Sequence, residues 1–169
     1  MNYSLRPALL EDLKTVLTWV QTEELLKLWG GPSLPFPPES ESIWSAVGAS
    51  PENSFSLLDS SGRVIGFAQA LPRDSSIHLA RIIVSPALRG HGIGRILCQQ
   101  LIQLAITKHH PNEITLKVYP NNTPAHSLYL SLGFVAMPEE LGSDSIKMRF
   151  RPGPQLRSNP AASLWLKPI

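Results

Sequence analysis

The chain of 169 residues holds a single cysteine, Cys98, so no disulfide can form within it. One thiol inside an apolar segment suits a reducing compartment, and a cytoplasmic location is expected. No apolar run approaches the ~18–20 residues of a membrane-spanning helix. The N-terminus has no basic stretch followed by an apolar one, so neither a membrane nor a signal peptide is expected. Charge is nearly balanced, with 15 Lys and Arg against 13 Asp and Glu and a formal net charge of +2. The basic residues form no run, which argues against nucleic acid as a partner. His109 and His110 stand together without a third ligand at metal spacing. They read as cations complementing a helix end, and no metal is expected. No internal repeat is present.

What the chain does contain is a mixed pattern of helix and strand periods. A first strand over residues 2–6 is followed by Leu9, Leu10, Leu13, Val16, Leu17 and Val20 at helical spacing. A second helix is expected from Thr22, as cap, to Trp29, and a third over 39–47. Four prolines within residues 32–38 exclude regular structure there. Strands follow at 55–59, 64–71 and 77–84. A helix over 92–108 should turn Ile93, Ile96, Leu97, Leu101, Leu104 and Ala105 to the core. A strand at 114–119, a helix capped by Thr123 and closed by Gly133, and strands at 134–137 and 145–150 complete the pattern. The fold expected is α/β of mixed type. One domain over 1–150 holds a mixed, mostly antiparallel sheet of six to seven strands, flanked by helices and with one parallel crossover. Residues 151–169, with four prolines, read as an irregular extension. Its Leu164, Trp165 and Leu166 could anchor it on the body or on a neighbouring subunit, as in a homodimer.

The stretch from Ile82 to Arg95 carries the chemistry. It reads as a buried strand, a Pro86 bend, a turn with glycines at 90, 92 and 94, and then a helix. Such a turn lets backbone approach a ligand closely. The leading amides of the helix favour a negative one, above all phosphate. A P-loop is excluded because no Lys-Ser or Lys-Thr follows Gly92 or Gly94. A dinucleotide fingerprint is excluded because its third glycine would fall on Arg95 or Leu97.

The remaining pattern, Arg89-x-x-Gly92-x-Gly94, resembles the pyrophosphate-binding turn of the GNAT superfamily of acyl-CoA N-acyltransferases. A second segment strengthens the likeness. Asn122, Ala125, Leu128, Tyr129, Gly133 and Phe134 match that family's Asn-x-x-Ala-x-x-Leu-Tyr-x-x-x-Gly-Phe at every fixed position. The resemblance covers roughly residues 53–150. It implies a splayed pair of strands at a cofactor cleft, and acetyl-CoA as cosubstrate. The diphosphate would be held by Arg89, Gly90, His91, Gly92, Ile93, Gly94 and Arg95, and the pantetheine arm by the backbone of Ile82, Ile83 and Val84 and by Asn122.

The implied reaction is N-acetylation of a primary amine, belonging to a small molecule, an amino acid or a protein, in a ternary complex. Tyr129 matches the tyrosine that contacts the cofactor and protonates its leaving thiolate. A phenol suits this because its ordinary pKa of ~10 lies near that of an alkyl thiol. His78 stands six residues before Val84, where one branch of the family carries a basic glutamate, and an imidazole could accept the amine proton. In the ribosomal-protein alanine acetyltransferases the base lies five residues before the asparagine. Lys117 occupies that position here and argues against that substrate. The acceptor wall would include Trp19, Glu23, Glu24, Trp29 and Phe36. Plainer readings stand beside these: a capping role for Asn122, a core role for Tyr129, an exposed strand histidine at 78, and helix-start carboxylates at 23 and 24. The alternative function is a non-catalytic acyl-CoA-binding regulatory module.

Overall fold

A computed structural model describes residues 2–138, 141–154 and 156. The elements are β1 (Ser4–Pro7), α1 (Leu10–Leu17), α2 (Glu23–Gly30), α3 (Ser40–Ala46), β2 (Ser54–Leu58), β3 (Val64–Arg73), β4 (Ser76–Val84), α4 (Ile93–His109), β5 (Glu113–Val118), α5 (Thr123–Ser131), β6 (Val135–Ala136) and β7 (Ile146–Phe150). They form a mixed α/β fold with one open seven-stranded sheet in the order β1-β2-β3-β4-β5-β7-β6. Only the β4–β5 contact is described as parallel, and α4 provides its crossover. Its ladder pairs Ser76–Leu79 with Glu113–Leu116, whereas β4 runs on to Val84 and β5 to Val118.

Two compact units make up the chain: Met1–Gln69 with Arg81–Leu97, and Ala70–Ala80 with Cys98–Ile169. In the first, α1 to α3 bury their apolar stripes with strands β3 and β4. Leu13, Val16, Leu26, Ile43, Val47, Phe67 and Ile83 form the centre of that cluster. Each such side chain contributes about 1.5–3 kcal/mol when removed from water. Thr22 caps α2 as its sequence position predicts, its hydroxyl accepting from the Leu25 amide at 3.2 Å. Asp12 does more than decorate the start of α1. It accepts both guanidinium nitrogens of Arg6 (2.6 and 2.8 Å), the Leu9 amide (2.8 Å) and the Ser56 hydroxyl (2.8 Å).

In the second unit, the buried residues of α4 are Cys98, Leu101, Ile102, Ala105 and Ile106. The sequence expectation for this face was shifted: Ile96 and Leu104 are only half-buried, while Ile102 and Ile106 are fully inside; Cys98 is buried, as its place in an apolar segment suggests. The helix is buried over a wider arc than a single amphipathic stripe. At its end the His110 amide donates to the Ile106 carbonyl and His110 adopts φ 46°, the left-handed closing position more often given to glycine. Burial, and then the charge of Lys108, push the His109 imidazole down from its ordinary range. That shift weakens His109 as the cation expected at this helix end. No group of three His, Cys, Asp or Glu among the described residues could hold a metal. No described helix is long and apolar enough to cross a membrane. Leu164, Trp165 and Leu166 lie outside the described residues.

Candidate active site

The first unit carries the glycine turn. β4 ends at Val84, and the Ser85 amide donates to the Ile65 carbonyl at 2.9 Å, which fixes where the chain leaves the sheet. A short 3-10 turn over Pro86–Leu88 leads to Arg89. Gly90 and Gly92 then take φ values of 77° and 78°. Such values cost a residue with a Cβ about 1–2 kcal/mol, which is why glycine stands at both. A Cβ placed at either would meet nothing within 4 Å. The requirement is therefore one of backbone conformation, and the space beside the turn is open.

The His91 Nδ1–H donates to the Arg89 carbonyl at 2.8 Å, tying the turn across itself. The ladder of α4 begins with the Ile96 amide donating to the Gly92 carbonyl at 3.2 Å. The amides of residues 93–95 thus precede it, at the positive end of a 17-residue helix with no acidic residue in its first turn. Arg89 and Arg95 are exposed at the two ends of the turn. This is an arrangement suited to a phosphate-bearing ligand. The Ile83 side chain belongs to the core cluster, while Ile82 and Val84 are half-buried.

One feature of β4 was not foreseen. Arg81 has φ 52°, a left-handed conformation inside a strand. Its carbonyl accepts the indole N–H of Trp29 at 2.9 Å, and its Nη1 donates to the Gln69 side-chain oxygen at 2.7 Å. Gln69 is fully buried and donates onward to the Ser54 hydroxyl at 3.0 Å. An arginine and a glutamine within apolar strands were the available signals, but their pairing required the fold. Trp29, expected on the acceptor wall, is thus tied to β4 and packs edge-on against Phe67. Trp19 packs against the core cluster, and Phe36 is 46% exposed. Glu23 pairs with Lys27 at 3.0 Å on the surface of α2, and Glu24 is exposed.

The second unit carries the candidate proton-transfer groups. Tyr129 lies on α5, nearly buried, with its ring against Phe134, which in turn packs on Phe150. Burial, and then the neighbouring Cys98, push the phenol well above its ordinary value, so it keeps its proton at any physiological pH. Asn122, not Thr123, is the N-cap of α5. Its side-chain oxygen accepts from the Ala125 amide at 3.4 Å, leaving Thr123 and Pro124 as the first two helical residues. Proline fits there because its missing N–H lies ahead of the ladder. Gly133, at φ 93°, closes the helix as expected. His78 on β4 faces Thr115 on β5 in register, and their side chains share a hydrogen bond of 3.0 Å. Lys117 is exposed on β5.

The glycine turn and Arg81 therefore belong to one unit, and His78, Asn122 and Tyr129 to the other. The fold that carries them is that of the N-acetyltransferases. The spermidine N-acetyltransferase of Vibrio cholerae, solved with CoA and spermine, matches with a TM-score of 0.71 at 20% identity, over 88% of this chain and 95% of that one. The model of the acetyltransferase (GNAT) family matches residues 17–134, and the chain belongs to that family. N-alpha-acetyltransferase 40 of Saccharomyces cerevisiae is 34% identical over 91 residues, which is 50% of this chain and 32% of that protein. N-alpha-acetyltransferase RimI of Mycobacterium tuberculosis is 34% identical over 92 residues, 51% of this chain and 54% of that protein. The match thus spans about a third to a half of these curated relatives.

Proposed function

We propose that this protein is an N-acetyltransferase that moves an acetyl group from acetyl-CoA to a primary amine by direct transfer. The observation that carries this reading is the pair of left-handed glycines, Gly90 and Gly92, launching α4 with open space beside them. The diphosphate of coenzyme A binds the amides of residues 90–95, with Arg89 and Arg95 adding charge-assisted contacts. The helix terminus contributes about 1 kcal/mol, up to ~2 where partly buried, and the separate N–H contacts add to it.

The backbone of Ile82 to Val84 lies just ahead of the turn and receives the pantetheine arm. Asn122 is the side chain we assign to hydrogen-bonding the same arm. A neutral amine attacks the thioester carbon; the C–N bond forms and the C–S bond breaks. The amine proton passes to His78, directly or through water, and the leaving thiolate takes the Tyr129 proton. Burial holds the proton on the phenol until the thiolate departs, but it also lifts the phenol above the alkyl-thiol range, so the assignment is carried by the motif position of Tyr129 and not by a matched acidity. The acceptor is a small amine, an amino acid or a protein amine, with Trp19, Glu23, Glu24 and Phe36 on its side of the site. Glu23 and Glu24 would draw an ammonium before it is deprotonated. The lone buried Cys98 fits a cytoplasmic enzyme.

The decisive experiment is acetyl-CoA consumption across a panel of polyamines, amino acids and N-terminal peptides, beside calorimetric titration with coenzyme A. Turnover with one amine class and tight coenzyme A binding are expected. Coenzyme A binding without turnover on any amine would favour a regulatory module, and no binding at low salt would remove both readings.

A further inference from the structure

Arg81 is where β4 departs from regular strand geometry, with φ 52° between the buried Leu79 and Ile83. A non-glycine residue stays in this region only where its surroundings hold it. Two side chains from different elements do so. Trp29, near the end of α2, donates its indole N–H to the Arg81 carbonyl at 2.9 Å. Gln69, on β3, accepts from Arg81 Nη1 at 2.7 Å. Both are themselves anchored. The Trp29 ring packs edge-on against Phe67 with centroids 6.0 Å apart. The Gln69 amide nitrogen donates to the Ser54 hydroxyl at 3.0 Å and to the Val47 carbonyl at 3.4 Å.

A buried glutamine in a strand is costly unless its groups are used. Ordinary satisfaction of buried polar groups would explain each bond singly. It does not explain why both converge on the one strained residue of this strand, immediately before the backbone assigned to the cofactor arm.

We propose that Trp29 and Gln69 are positioning residues for acetyl transfer: they hold the left-handed turn of β4 at Arg81 and so aim the main-chain groups of Ile82 to Val84 at the thioester. This rests on the N-acetyltransferase reading. The diphosphate grip lies further along, at residues 89–95, so the clamp acts on the rate of transfer and not on the affinity for coenzyme A. A misdirection of this kind can cost up to about 10²-fold in rate.

The test uses the full chain. Trp29→Phe keeps a ring against Phe67 but has no N–H; Gln69→Leu removes the acceptor for Arg81; Gln69→Glu restores an acceptor oxygen. Turnover per coenzyme A site, coenzyme A affinity by calorimetry, and the carbonyl ¹³C signal of bound carbonyl-labelled acetyl-CoA are measured for each. Trp29→Phe and Gln69→Leu should lose about tenfold or more in turnover per site, with affinity held within about twofold. Gln69→Glu should recover much of the loss, and the carbonyl signal should move toward its free value in the two defective variants. Unchanged turnover per site with an unchanged carbonyl signal overturns the proposal, even where the variants fold less stably. If the wild-type chain binds acetyl-CoA but no amine is acetylated, the carbonyl signal alone decides. If it binds no coenzyme A, the enzymatic reading falls and this inference with it.

Discussion

The Ile96 amide donates to the Gly92 carbonyl at 3.2 Å, so α4 starts directly from the second left-handed glycine of the turn. The turn therefore runs into the helix without an intervening loop residue. Gly92→Ala meets no steric obstacle but must hold φ 78° with a Cβ, at about 1–2 kcal/mol. Thermal melting should show that loss. Calorimetry should show coenzyme A affinity falling about tenfold, or about 1.4 kcal/mol. Wild-type affinity in this variant would mean that the ligand does not depend on the main chain of the turn.

Burial keeps the Tyr129 phenol protonated, so in the proposed reaction it serves only as an acid. Tyr129→Phe should lower turnover by about 10²–10⁴-fold with little change in coenzyme A affinity. The sign of the pH effect follows from the raised pKa: the protonated, active form persists above the ordinary phenol range. The wild-type rate should therefore show no falling limb from this group between pH 8 and pH 10. A limb in that interval that disappears in Tyr129→Phe would contradict the assignment.

His78 and Thr115 are register partners joined at 3.0 Å. If the imidazole accepts the amine proton, His78→Gln should lower turnover by about 10²-fold with coenzyme A affinity unchanged. Thr115→Val should cost less, since it removes one hydrogen bond of the ring and leaves the ring in place. Turnover that survives in His78→Gln would pass the role to water.

Asp12 is a buried carboxylate of the first unit whose pairing is sensitive to acid. Burial alone would raise its carboxyl, but the hydrogen bonds from Arg6, the Leu9 amide and Ser56, with the Arg6 charge, outweigh it and hold the pKa below the usual range. A depressed carboxylate contributes stability that is complete above the unfolded-state value near 3.9 and is lost as pH falls through the folded one. Asp12→Asn should destabilise the protein by about 2–3 kcal/mol at pH 7, below the 3–5 of a fully buried pair because the Arg6 side chain is 34% exposed. The gap to wild type should narrow as pH falls below the unfolded-state value and close once it has passed the depressed folded one. Denaturant melts across that range provide the check, and a gap independent of pH would assign the loss to packing.

From the sequence alone came the family resemblance, the glycine turn, the order of elements and the Thr22 cap. These depend on residues a few positions apart: helical and strand periods, a cap three residues from its amide, glycines where φ must be positive. The tertiary structure decided the rest. Thr123 and Asn122 are both competent caps, and the path of the chain out of β5 selected Asn122. The buried face of α4 is wider than its periodicity suggests because the helix is enclosed over more than one stripe. Asp12 meets Ser56 across 44 residues, Gln69 meets Arg81 across 12, and Trp29 meets Arg81 across 52. No local pattern encodes such pairs. They form because burial leaves each polar group only the partner that the fold brings to it.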